Sequence, residues 1–135
     1  MDMKELVARL YAFKISAKLV HWKLFGSQFM ELHEYMDKVA EPIDDFIDRL
    51  LERYFMATDI ESLRSIEDTF KFESSKYYIE DFNSTESMLK SIINLADDIS
   101  DGVEDIDTYR GVNNILDDIS GHMLSVRGLL KAQLS

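Results

Sequence analysis

Cysteine is missing from all 135 residues, which excludes disulfides, thiolate zinc sites and iron–sulfur ligation. A chain without thiols fits a reducing compartment, and cytoplasmic location is the expectation. Proline occurs once and glycine five times, too few for the many turns of a small-stranded β fold, so long helices are expected. No apolar run reaches the roughly 18 residues of a membrane span. The opening Met1-Asp2-Met3-Lys4-Glu5 is not a signal peptide. Basic residues are also scarce: 15 Lys and Arg stand against 26 Asp and Glu, for a net charge of −11. Phosphate neutralisation by Lys and Arg drives non-specific DNA binding, and no Lys/Arg-rich tail exists to supply it. DNA is therefore not an expected partner, whereas cations are. Finally, there is no Glu-x-x-His, the helical motif of many di-iron bundles.

What is present is helical periodicity over a length that suits one domain, residues 1–135. Asp2 followed by Glu5 reads as an N-cap with its reciprocal acid. Leu6, Leu10, Phe13, Ala17, Val20 and Leu24 then recur at steps of four and three, predicting an amphipathic helix that runs to Gly26. A second stripe follows at Phe29, Leu32, Met36, Val39, Ile43, Phe46, Leu50 and Tyr54. The two helices form a hairpin closed near Ser27. Residues 57–83 are too long a connection to be structureless. There, Thr58 with Glu61 is expected to cap a short helix through Leu63 and Ile66, and the aromatics Phe70, Phe72, Tyr77, Tyr78 and Phe82 read as a satellite core or a subunit contact. A third helix starts at Ser84 or Thr85 and carries Met88, Ile92, Leu95, Ile99 and Val103. A fourth carries Val112, Ile115, Ile119, Met123, Val126 and Leu130. The expected fold is all-α, a four-helix bundle of two hairpins joined by a long crossover that holds a short helix, which is the ferritin-like layout.

Five metal-ligand-type residues sit on this framework with a regular spacing. His33 and Glu52, and likewise Asp37 and Asp48, are mirror-paired about a point between residues 42 and 43. His21 and His33 are symmetric about Ser27, so the hairpin sets them opposite each other. At about 100° per residue, His33, Asp37, Asp48 and Glu52 all fall near one helix face. Asp37 and Asp48 are nonetheless about 16 Å apart along that helix, and one ion with ligand distances of about 2.0–2.2 Å cannot touch both. Two copies crossing antiparallel at their midpoints bring His33 and Asp37 of one chain to Asp48 and Glu52 of the other. Such a two-fold dimer carries two identical sites, each built from both chains. Two imidazoles and three carboxylates suit iron, with zinc or manganese able to occupy the same site.

The stretch His21-Trp22-Lys23-Leu24-Phe25-Gly26-Ser27-Gln28-Phe29-Met30-Glu31-Leu32-His33-Glu34 resembles the signature of Dps-type miniferritins, the DNA-binding proteins from starved cells. Counted from His21, the ligand positions at +12, +16, +27 and +31 match that family's intersubunit ferroxidase site at all five residues. Residues 1–56 carry the specific match, and the rest agrees in helical layout. The resemblance implies a hollow dodecamer built on two-fold dimers, which oxidises Fe(II) with peroxide or dioxygen and stores the ferric product. That is iron storage and protection against oxidative stress. It also implies that His21, His33 and Asp37 act from one subunit with Asp48 and Glu52 from its mate. Glu52 is the bridging candidate. Trp22 sits beside the iron in the family, where it can intercept oxidising equivalents; by position alone it is most simply a core aromatic.

Other features have plainer readings. His122 is a packing or surface residue. Asp97, Asp98, Asp101, Glu104, Asp105 and Asp107 form a solvated acidic turn or, as the resemblance implies, the lining of an iron-entry pore. Pro42 stands inside the second helix beside the mirror point, where it either kinks the helix or opens a restarted one. Two alternatives to the ferroxidase remain: a mononuclear two-His, one-carboxylate site within one chain from His21, His33 and Asp37, and a non-enzymatic assembly protein with a degenerate metal site.

Overall fold

The computed structural model describes residues 1–135 and is helical throughout, with no strand. Helix α1 spans Met3–Lys23, α2 Met30–Ala40 and α3 Ile43–Leu50. After a crossover that includes the short α4, Ile60–Arg64, come α5, Thr85–Glu104, and α6, Arg110–Leu134. The α1–α2 and α5–α6 pairs make the most extensive contacts, with α1 also against α5 and α3 against α6. One core of 31 buried residues fills the space between them. All six apolar residues of the first stripe and all six of the fourth are buried. No helix is long and apolar enough to cross a membrane.

Local chemistry sets the helix ends. The Asp2 carboxylate accepts from the Glu5 N–H at 2.7 Å. The expected reciprocal bond from the Glu5 side chain is replaced by contacts with Arg9 at 3.7 Å and the Tyr77 hydroxyl at 3.3 Å. At α5 the N-terminal box is complete, Ser84 and Ser87 exchanging two 3.0 Å bonds. Helix α1 stops at Lys23, short of the expected Gly26. Leu24 closes it, and Gly26 then adopts φ +102°, the only positive φ in the chain, which a residue without Cβ reaches at no steric cost.

The second stripe is not one continuous helix. Pro42 has no N–H to give the Lys38 carbonyl, and the chain passes Glu41–Pro42 as a turn before α3 begins. Pro42 itself keeps helical angles, φ −78° and ψ −7°, and its carbonyl accepts from Phe46 at 3.2 Å. It thus stands at the start of a restarted helix. At the far end, Leu51–Phe55 widens into a π-turn, with the Met56 N–H bonded to the Leu51 carbonyl. The buried stripe here steps five residues, from Leu50 to Phe55, both at 0% exposure. Phe55 therefore enters the core in place of the expected Tyr54, which is half-buried with its ring edge-on to Phe55.

The crossover is largely helical through Lys76. Its cap falls one residue later than expected: Asp59, not Thr58, accepts from the Ser62 N–H at 3.3 Å, while the Thr58 hydroxyl donates to the Tyr54 carbonyl. A second π-turn, Thr69–Glu73, lies against α1. Phe70 meets Tyr11 at 5.0 Å between ring centroids, and Arg9 stacks over Tyr77 at 4.2 Å. The buried Ser16 hydroxyl accepts the Ile79 N–H at 3.1 Å and pins the end of the crossover to α1. These contacts make Phe70 and Tyr77 a satellite of the core, while Phe72 is left exposed.

Candidate metal centre

His21, on the last turn of α1, and His33, on the first turns of α2, face each other across the hairpin. Their rings stack with centroids 3.9 Å apart and planes 22° from parallel. Each Nδ1 lies within hydrogen-bond distance of the other residue's backbone carbonyl, at 2.5 Å for His21 and 2.7 Å for His33. A carbonyl only accepts, so both Nδ1 atoms carry the proton and donate it. The neutral form of each imidazole then has its lone pair on Nε2. Metal-ligating histidines are typically held this way, the second ring nitrogen tied to a carbonyl or carboxylate that fixes tautomer and orientation. Here the two histidines provide that support for one another.

Asp37 lies one turn beyond His33 and is held by the Lys18 ammonium. The hydrogen bond from Lys18 keeps the Asp37 carboxyl below the usual carboxylate range, against some desolvation. The charges of Lys18, His21 and His33 add to that lowering. Lys18 is the residue that the spacing argument passed over. Reflection about Ser27 sets position 18 against 36, next to Asp37, so the signal was there. The ammonium places one positive charge on the carboxylate assigned to a cation.

Asp48 on α3 and Glu52 on the π-turn are exposed. Neighbouring acids are taken: Asp44 pairs with Lys14 at 2.8 Å, and Asp45 with Arg49 at 3.7 Å. Arg49 also reaches Asp118 at 3.0 Å. Asp48 and Glu52 have neither an ion pair nor a side-chain hydrogen bond within the chain. Glu52 lies one helical turn beyond Asp48, at the start of the π-turn. Asp37 and Asp48 stand on opposite sides of the Pro42 break, on α2 and α3. No three His, Asp or Glu side chains of one chain converge to hold an ion.

Trp22 is 63% exposed, so the core-aromatic reading fails. It forms part of an uncovered apolar surface at the hairpin turn with Phe25 and Met30. His122 keeps its packing role: its ring lies edge-on to Phe46, and Nε2 lies 2.9 Å from the Val39 carbonyl. In the acidic run, Asp97 pairs with Arg127 at 3.0 Å and Asp98 with Arg9 at 3.9 Å. Asp101, Glu104, Asp105 and Asp107 are left exposed. A polar cavity of about 430 Å³ between the start of α1 and the crossover contains none of the five ligand-type residues.

No family model matches the chain, and no curated protein or solved structure matches it either. The functional reading therefore rests on the residues and their geometry.

Proposed function

We propose that this chain is a subunit of a Dps-type miniferritin: a ferritin-like four-helix bundle that pairs about a two-fold axis and oxidises Fe(II) at two intersubunit centres. The observation that carries the reading is the reciprocal histidine lock. It leaves an Nε2 lone pair on each of two stacked rings, one helical turn from Asp37, at the sequence spacing from Asp48 and Glu52 that a second copy completes. In one chain the site is half a site. The exposed Trp22, Phe25 and Met30 beside it are the kind of surface a second copy covers. The two-chain arrangement is favoured over a mononuclear site within one chain because His21, His33 and Asp37 do not by themselves converge on an ion-sized site.

Iron is substrate and cargo here. Carboxylates stabilise the +3 ion more than the +2 ion electrostatically, so Asp37, Asp48 and Glu52 lower the free energy of ferric relative to ferrous iron. Two Fe(II) give up one electron each to a peroxide, whose O–O bond breaks and which leaves as two waters after taking up two protons. Dioxygen is the alternative oxidant. Assembly into a dodecamer in the cytoplasm would give the ferric product an enclosed volume. The net charge of −11 favours cation entry and opposes DNA binding.

The test is complementation. His33→Ala and Glu52→Ala each remove a ligand but little core volume, and each should abolish fast Fe(II) oxidation in a homogeneous assembly. Co-refolding the two variants should restore part of the rate, since mixed dimers contain one intact site. A mixture that shows only the summed residual rates of the two variants rejects the intersubunit site.

A further inference from the structure

Two features stand outside the metal-centre argument, Pro42 and His122, and the fold brings them together. Pro42 interrupts the α2–α3 segment next to the point, between residues 42 and 43, about which the ligand-type residues are mirror-paired. In the two-fold dimer that point is where the two copies cross. The angle between α2 and α3 therefore sets where Asp48 and Glu52 of one chain arrive relative to His33 and Asp37 of the other. A proline break costs a helix hydrogen bond and loosens that angle. Something has to fix it.

His122 is placed to do so. It projects from the middle of α6 and approaches the break from the core side, with its Nε2 2.9 Å from the Val39 carbonyl. Val39 is 1% exposed and Phe46, whose ring meets the imidazole at 5.9 Å, is 6% exposed. One side chain thus touches the last turn of α2 through a hydrogen bond and the first turn of α3 through a ring edge. The exposed Asp37, Glu41, Asp48 and Glu52 lie outside this contact, so His122 takes no direct part in binding metal or partner. A carbonyl acceptor requires Nε2–H as the donor.

We infer that His122 is a positioning residue for the intersubunit centre: by tying α6 to both sides of the Pro42 break, it fixes the α2–α3 angle that brings the two half-sites into register. This rests on the two-fold reading above. The experiment compares the full-length wild type with His122→Phe, which keeps a ring against Phe46 but has no donor, and with His122→Gln, which retains an N–H in reach of Val39. Dimer dissociation is measured by sedimentation without metal, and the Fe(II) concentration for half-maximal oxidation by stopped flow. Helix content is checked by circular dichroism.

Loss of one such bond shifts an equilibrium about fivefold, and a dimer contains two, so His122→Phe should weaken dimerisation up to about 25-fold. Its half-saturating Fe(II) should rise severalfold at unchanged helix content, and His122→Gln should recover most of both losses. Wild-type values for His122→Phe overturn the inference, and so does a His122→Gln defect equal to that of His122→Phe. If the wild type dimerises but does not oxidise Fe(II), the ferroxidase reading falls, and the metal-free dimer constants still decide the role of His122.

Discussion

Replacing His33 separates the two jobs the structure gives it, holding the hairpin and presenting a lone pair. The imidazole Nδ1 donates to the His21 carbonyl at 2.7 Å, and the ring stacks on His21 at 3.9 Å. His33→Ala loses both, about 1 kcal/mol for the bond and about 1 kcal/mol for the ring contact. The bond from His21 Nδ1 to the residue-33 carbonyl is backbone-directed and survives. The metal-free protein should thus lose about 2 kcal/mol, or roughly 8 °C in Tm for a chain of this size. Asparagine places an amide N–H where Nδ1 was but has nothing at Nε2, so His33→Asn should lose only about 1 kcal/mol. If Nε2 is a ligand, both variants lose fast Fe(II) oxidation equally, although their stabilities differ. Urea unfolding of the metal-free proteins gives the first quantity and stopped-flow absorbance of ferric product the second. Wild-type oxidation by His33→Asn refutes the ligand assignment. Wild-type stability of His33→Ala refutes the lock.

Ser16→Ala leaves the buried Ile79 N–H without an acceptor and should cost about 1–3 kcal/mol in urea unfolding; a loss under about 0.5 kcal/mol means another acceptor takes over. The folded Asp37 carboxyl is held down chiefly by Lys18, so its stabilising contribution is full above the ordinary carboxylate range. That contribution is lost progressively as pH falls from the ordinary carboxylate value through the lowered folded one. Lys18→Met should move the Asp37 titration upward, as read by carboxyl-carbon NMR, and an unmoved titration contradicts the pairing. With a net charge of −11 the metal-free protein should not retard DNA in a gel at micromolar concentration, at low or physiological salt. Retardation under both conditions would show a basic surface that these residues do not supply.

Much of the fold was legible because it is local. Steps of four and three located all four long helical segments, since an apolar stripe has one periodicity to follow. Ser84 marked a helix start for the same reason: its partner, Ser87, is three residues away. The meeting of His21 with His33 followed from a short hairpin, in which residues equidistant from the turn must face each other. The readings that missed did so where a distant segment outweighed local preference. Tyr54 gave way to Phe55 because the π-turn adds a residue to the turn, and the buried position it reaches is set by packing. Glu5 looked like a capping acid until Arg9 and Tyr77, the latter 72 residues away, took its carboxylate. Trp22 looked like core because it is large and apolar, yet it lies off the buried α1 stripe of Ala17, Val20 and Leu24 and is left exposed.

The sequence by itself determined the helical class, the hairpin about Ser27 and the spacing of five ligand-type side chains, because each depends only on the rise and rotation of a helix. Tertiary structure alone decided that Lys18 occupies Asp37 and Lys14 occupies Asp44 while Asp48 and Glu52 are free. It alone decided, too, that His122 meets the break at Pro42. Those outcomes depend on which side chains of separate helices come within about 4 Å of one another, the reach of an ion pair, and helical periodicity says nothing of that.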